Sequence, residues 1–244
     1  MSFTAQFCFH GDLAPLLPPE RRDGPFAYPF NGGQSAKHLV EAARVPHTEV
    51  GDLRIDDQPA SLDRLIQHGE RVDVFPCTPP LDPETDPRFI LDNHLGRLAA
   101  HLRLLGLDCL YRNDYQDEEL AAVCAVERRI LLTRDRCLLM RKTVLRGRLL
   151  RSRLAEEQTA EILARYNLKQ ALQPFRRCLT CNGLLEAVDK AEIEARLQPL
   201  TRQYFDEFKR CAACGQVYWK GSHYARMQNW IDNLAAGRFP APSG

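Results

Sequence analysis

The chain has 244 residues, room for one large domain or two to three small ones, and its 44% hydrophobic content is ample for a buried core. No apolar run approaches the length of a membrane span, and no basic stretch leads into an apolar one at the N-terminus, so a cytoplasmic protein without a membrane partner is expected. The net charge of +1 conceals an asymmetry: residues 1–80 hold 7 Lys or Arg against 11 acids, whereas 141–177 hold 10 against 3. Such a basic block is either a solvated helix face or a surface for a polyanion, nucleic acid first.

In chain order, "FTAQFCF" alternates as a strand should, and "FAYPF" reads as a second strand ending at Asn31-Gly32-Gly33. "SAKHLVEAARV" carries Leu39, Val40 and Ala43 at helical spacing behind Ser35 as N-cap. "DLRIDDQPA" gives a short strand and turn, and "GERVDVFP" a closing strand. Strand, strand, helix, strand, strand within residues 1–76 is a small α+β pattern. It resembles the β-grasp (ubiquitin-like) fold, the sulfur-carrier branch above all. Sulfur carriers end in an exposed Gly-Gly tail, whereas this chain continues through Pro76 into a further domain, so the resemblance implies a docking module for a protein partner.

The proline-rich linker 77–87 sustains neither a helix nor a central strand. From Arg88 to Phe175 strands alternate with helices. Phe89–Leu91 is a strand; Leu95, Leu98, Ala99, Leu102 and Leu105 stripe a helix that stops at Gly106. "DCLYR" is the next strand, Asp117 opens a helix, "RILLT" is a third strand, and "LAEEQTAEILARYNL" a further helix with Leu154, Ile162 and Leu163 inward. This order predicts an α/β domain with a parallel sheet and helices on both faces.

Residues 176–230 contain Cys178-x-x-Cys181 and Cys211-x-x-Cys214, each followed closely by glycine, and 231–244 reads as a tail. Four thiolates complete a tetrahedral Zn²⁺ site, so a structural zinc ribbon is expected; a redox dithiol pair lacks the surrounding thioredoxin-like pattern. The remaining cysteines, Cys8, Cys77, Cys109, Cys124 and Cys137, sit mostly among apolar neighbours and read as core. After the second pair, "QVYWKGSHYARMQNW" interleaves aromatic and cationic groups. Val217 and Trp219 read as a strand packed inward, and Lys220, His223 and Arg226 as RNA contacts.

Asp92 follows the first strand of the α/β domain, Asp135 follows the third, and Asp117 with Glu118 opens the intervening helix. Carboxyl ends of parallel strands and the helix starts that follow share one edge, where ligands gather. Each acid also has a bland role: Asp92 or Asn93 as a cap of the following helix, Asp117 as a cap, Asp135 as a turn residue. Together they suit Mg²⁺ or Mn²⁺ and water-mediated hydrolysis of a phosphodiester. Arg97 and Arg134 lie beside these acids, and Arg141, Lys142, Arg146 and Arg148 lie in the basic block, all as candidate RNA contacts.

"ILDNHLGRLAAHLRLLG", "YQDEELAAVCAVERRILLTRD" and "CLTCNG … CAACGQVYWKGSHYARM" together resemble the Mut-seven C-terminal family of PIN-like RNases. The resemblance implies a PIN-like three-layer nuclease domain with a C-terminal zinc ribbon, preceded in bacterial members by a ubiquitin-like domain. It also implies a metal-dependent ribonuclease whose acids match Asp92, Asp117 and Asp135, leaving a 5′-phosphate and a 3′-hydroxyl. PIN domains often place a fourth carboxylate shortly after the third; here Arg136-Cys137-Leu138-Leu139 follow, leaving Glu118 or Asp114 as substitutes. A noncatalytic adaptor for tRNA or rRNA, with a vestigial acidic site, is the rival expectation.

Overall fold

The structure is a computed structural model describing residues 3–77 and 87–236. Its elements in chain order are β1 (Phe3–Phe9), β2 (Phe26–Phe30), α1 (Ala36–Ala42), β3 (Val50–Ile55), β4 (Gln58–Pro59) and β5 (Arg71–Pro76). Then come β6 (Arg88–Leu91), α2 (Gly96–Leu104), β7 (Asp108–Leu110), α3 (Asp117–Glu127), β8 (Ile130–Thr133), α4 (Arg136–Leu139), β9 (Gly147–Leu149) and α5 (Ala155–Arg165). The last stretch holds β10 (Leu185–Val188), α6 (Lys190–Ile193), α7 (Pro199–Tyr204), β11 (Phe208–Cys211), β12 (Val217–Trp219) and α8 (Ser222–Ala235). Two compact units result, one gathering Met1–Pro80 with Gln116–Leu150, the other Leu81–Tyr115 with Arg151–Gly244. The division falls between Pro80 and Leu81, in the proline-rich linker whose residues 78–86 lie outside the described residues, and again inside the 88–175 stretch, of which Gln116–Leu150 joins the first unit.

In the first unit the sheet order β2-β1-β5-β3-β4 sets β1 parallel to β5 and antiparallel to β2. Alternation dictates this layer: Ala5, Phe7 and Phe9 of β1 turn inward with Val72 and Val74 of β5, and Leu39 and Val40 of α1 are buried with them. Ser35 caps α1 as its spacing predicts, its hydroxyl accepting from the His38 N–H at 3.3 Å. The same unit holds α3, β8, α4 and the β8–β9 parallel pair, registered Leu131 to Gly147 and Thr133 to Leu149. Here the basic block departs from expectation. Its centre, Gly147-Arg148-Leu149, is a buried strand, not a solvated helix face.

Arg148 reaches the interior because the N-terminal segment answers its charge. The Glu49 carboxylate, 1% exposed, accepts from the Arg148 guanidinium and, at 2.7 Å, from the Leu149 backbone N–H. His47 bridges the Glu41 carboxylate at 2.7 Å and the Val144 carbonyl at 2.9 Å. Arg136 donates to the carbonyls of Leu16 and Arg44 at 2.9 and 3.3 Å. Gly147 keeps this seam close: a Cβ there would meet a Leu139 methyl, which would have to shift.

The second unit contains the parallel β6–β7 pair, α2 against α5, and the antiparallel ribbon β10-β11-β12. Leu98, Leu102 and Leu105 of the predicted stripe are fully buried. Gly106 ends α2 at φ +88°, where any Cβ would collide with the Gln173 carbonyl. Leu154, expected inward, is instead the residue before α5 and is 42% exposed. The ribbon has its own small core of Val188, Ile193, Leu197, Phe208 and Val217. No described helix is long and apolar enough to cross a membrane.

Candidate functional site

Asp92 sits immediately after β6 and is 9% exposed. Helix α2 starts at Gly96 behind Leu95, which offers no side-chain cap, and the Asp92 carbonyl accepts from the Leu95 N–H at 3.0 Å. Asn93 does not cap it: its amide points at the Tyr115 carbonyl at 3.5 Å, while its own carbonyl accepts from the Tyr111 hydroxyl at 2.8 Å. The turn into α2 is closed by the Asp92 backbone carbonyl.

Asp117 is the first residue of α3, one position past the cap. Gln116 caps that helix through a capping box with Glu119, whose carboxylate accepts from the Gln116 N–H at 3.0 Å. The Asp117 carboxylate is thereby spared capping and accepts from Arg141 at 3.5 Å, alongside Glu118 at 2.9 Å. Its own backbone N–H and the Arg141 guanidinium hold the Glu118 carboxyl below the usual range. Asp135 does cap: its Oδ1 accepts from the Cys137 N–H at 2.7 Å, while its own N–H donates to the Thr133 hydroxyl at 2.9 Å. One carboxylate oxygen is thus fixed by the α4 backbone. Asp114, the alternative fourth acid, is exposed and held by Arg112 at 2.8 and 2.9 Å.

Two sets of three or more metal-binding side chains have all their donor atoms within 4.8 Å among the described residues: the four ribbon cysteines, and Cys8, His10 and Asp73. Asp92, Asp117 and Asp135 are not such a set, and Asp92 lies in the second unit while Asp117 and Asp135 lie in the first. In the second set, Arg71 donates to both Asp73 oxygens at 2.8 and 3.2 Å and His10 lies 2.8 Å from one of them, so a permanent cation stands where a metal would bind.

The ribbon cysteines fit zinc. Sγ of Cys178 lies 3.6 Å from that of Cys214, and Sγ of Cys181 lies 3.4 Å from that of Cys211. A tetrahedron with Zn–S bonds of about 2.3 Å requires sulfurs roughly 3.8 Å apart. Burial works against a thiolate at Cys178, but donors from Tyr218, the Cys181 and Thr180 backbones and Cys214 outweigh it, bringing its pKa down to about 6. The Tyr218 hydroxyl is 3.1 Å from that sulfur. The glycines serve different ends than the spacing suggests. In the first knuckle Asn182 takes the left-handed conformation, φ +71°, and Gly183 makes room, since a Cβ there would lie 2.8 Å from Cys211 Sγ. In the second, Gly215 itself turns at φ +73°.

Two residues that were not candidates from the sequence, Arg103 and Asn182, lock this knuckle to the β7 edge. Arg103, 3% exposed, donates to the carbonyls of Cys109, Leu179, Thr180 and Tyr111 at 2.9–3.3 Å. Asn182 accepts from the Cys109 N–H at 3.0 Å and donates to Asp108 at 2.9 Å. Arg103 sits within an apolar helical stripe, and its leucine neighbours gave no signal of it.

The candidate RNA contacts divide. Arg97, Arg134, Lys142, Arg146, Lys220, His223 and Arg226 are exposed. Arg148 is buried against Glu49 and leaves that set, because a guanidinium in a carboxylate-lined interior cannot reach a phosphate. Arg141 is engaged with Glu118 and Asp117. Lys220 pairs with Glu207 at 2.6 Å, and Arg226 contacts His223 at 2.8 Å on α8. Trp219, expected to pack inward, is 40% exposed. Of the scattered cysteines, Cys8, Cys109 and Cys124 are buried, Cys77 is half-buried and Cys137 is exposed.

Comparison with known proteins finds no curated protein and no solved structure that matches this chain. Residues 2–82 match the family model described as Mut7-C ubiquitin. Residues 87–231 match that of the Mut7-C RNAse domain, more than half of the chain. The α/β framework, the four-cysteine centre and these two matches make the chain a member of the Mut7-C RNase family with a Mut7-C ubiquitin-like domain at its N-terminal end.

Proposed function

We propose that the protein is a metal-dependent ribonuclease of RNA processing or decay, with Asp92, Asp117 and Asp135 holding Mg²⁺ or Mn²⁺ and Glu118 assisting. Membership of residues 87–231 in an RNase-domain family carries this reading. The donor set agrees with it, since carboxylate oxygens suit hard divalent ions. That Asp92 joins the other two rests on the sequence order of strands and helices. A bound divalent ion would supply Lewis acidity toward the phosphodiester and a more acidic water at neutral pH. The chain's own part is to fix the carboxylates and hold the phosphates. Asp135 is aimed by its Cys137 N–H bond, and Arg134, Arg97, Lys142 and Arg146 offer exposed charge to the strand.

One observation favours the rival adaptor reading: Arg141 occupies the Asp117 and Glu118 oxygens, as it would in a site that no longer binds metal. A single assay separates the two. Purified protein is incubated with a mixed RNA pool and Mn²⁺ or Mg²⁺, beside Asp92→Asn and Asp135→Asn variants. Decay by the parent that falls at least about a hundredfold in both variants supports the nuclease, a loss of the size seen when groups stabilising transition-state charge are removed. Equal decay in all three marks a contaminant, and RNA binding without cleavage favours the adaptor.

A further inference from the structure

A cleft of about 530 Å³ opens on the ribbon, lined largely by apolar surface. Phe175, Tyr218, Trp219 and Tyr224 contribute its aromatic walls, and Lys209 and Lys220 stand at its edge. None of these side chains is needed for the zinc tetrahedron except Tyr218, whose hydroxyl points to Cys178 and leaves the ring to the cleft. We propose that this cleft is a stacking subsite for an unpaired nucleobase of single-stranded RNA. The proposal rests on the RNA reading above and deepens it.

Four observations point to a base rather than to a general apolar ligand. Phe175 adopts φ +58°, a left-handed backbone that bulky side chains avoid. Its ring lies face to face with that of Tyr224, centroids 4.5 Å apart at 26°, so the two form one flat aromatic surface. Trp219 offers a partly exposed indole, and Gly221 leaves it room, since a Cβ there would lie 2.9 Å from its Nε1. The mouth acids are already answered: Asp206 pairs with Lys190 at 2.7 Å and Glu207 with Lys220 at 2.6 Å. The Lys209 ammonium donates to the neutral Phe175 carbonyl at 3.3 Å, so its charge remains available to a phosphate beside a stacked base. Flat aromatic surface with a cation at its rim is the chemistry by which unpaired bases are held irrespective of sequence.

The test uses the full-length, zinc-loaded Asp135→Asn protein without added Mg²⁺ or Mn²⁺, so that binding is read apart from turnover. The chain has two tryptophans, and Trp230→Phe leaves Trp219 as the sole reporter. Binding is measured for a short single-stranded oligoribonucleotide, its abasic counterpart of equal length and a duplex. Expected are quenching of Trp219 by the intact strand, affinity for it on the order of tenfold above the abasic strand, and weak duplex binding. Without the Trp230 change, Trp219→Ala and Tyr224→Ala remove that preference while one equivalent of zinc is retained, and Trp219→Phe keeps most of it. Equal affinity for intact and abasic strands overturns the proposal. So does an unchanged preference in the zinc-loaded alanine variants, or occupation by an apolar peptide without occupation by RNA. Base-dependent binding together with absent cleavage in the divalent assay upholds this subsite and sinks only the catalytic reading.

Discussion

At the scale of single residues, one buried ion pair and one half-buried histidine carry most of the testable consequence. Glu49 meets both Arg148 and the Leu149 N–H in a region where neither side chain sees water. Removing one member of a buried pair leaves the other charged and desolvated, at a cost of about 3–5 kcal/mol. Glu49→Ala is therefore expected to lower urea stability by that amount, and Glu49→Ala with Arg148→Met to recover a substantial part of it; an exposed pair would show under about 1 kcal/mol in the same measurement. His101 is the second. Burial pushes its pKa below the ordinary value despite opposing help from Glu156 and the Ala155 backbone, and its ring lies 3.0 Å from Thr159 Oγ1 and 4.5 Å from Trp230. The folded state then holds this histidine neutral where the unfolded chain, with a pKa of about 6.5, takes up a proton. Unfolding binds that proton as pH falls below about 6.5, so stability falls with acidification until the folded pKa is passed. His101→Gln should flatten this part of the stability profile, followed by chemical denaturation between neutral and mildly acidic pH.

At the scale of elements, the motifs were legible where chemistry is local. Ser35, the Leu98-Leu102-Leu105 stripe and the two Cys-x-x-Cys pairs each announce their structure within a few residues, and each forms as expected. β9 was not legible, because its Gly147-Arg148-Leu149 looks like more of a basic surface until Glu49, about a hundred residues earlier, is brought to it. The ribbon has only five buried apolar residues in its own core. A zinc ion held by the four cysteines would supply much of its stability, on the order of 10 kcal/mol by zinc-finger precedent. Chelation, or Cys181→Ser, is expected to release the knuckles and to raise hydrogen exchange across β10, β11 and β12. Protection that persists in metal-free protein would show that the Arg103 and Asn182 bonds alone suffice.

At the scale of the whole molecule, the ubiquitin-like segment is more than an appended module. Its sheet and residues 116–150 form one compact unit, joined by Glu49, His47 and Arg136. A chain beginning at residue 87 would leave Arg148 uncompensated and the seam at Gly147 open. Limited proteolysis of that truncated chain is expected to cut near residues 136–149 far faster than in the full-length protein; equal resistance would show that the segment docks without supporting the fold.

By itself the sequence determined most of the element order, the four-cysteine cluster and the family, and it singled out three acids as candidates, because these depend on short-range spacing and on residue chemistry that does not change with context. Tertiary structure alone decided which charges are free. Arg148 became an interior ion pair, Arg141 a partner of Asp117 and Glu118, Arg103 a clamp on a zinc knuckle, and Trp219 a wall of a cleft. A long charged or aromatic side chain has the same local signature on a surface and in a core, and only the residue brought against it from elsewhere in the chain sets its solvation and hence its role.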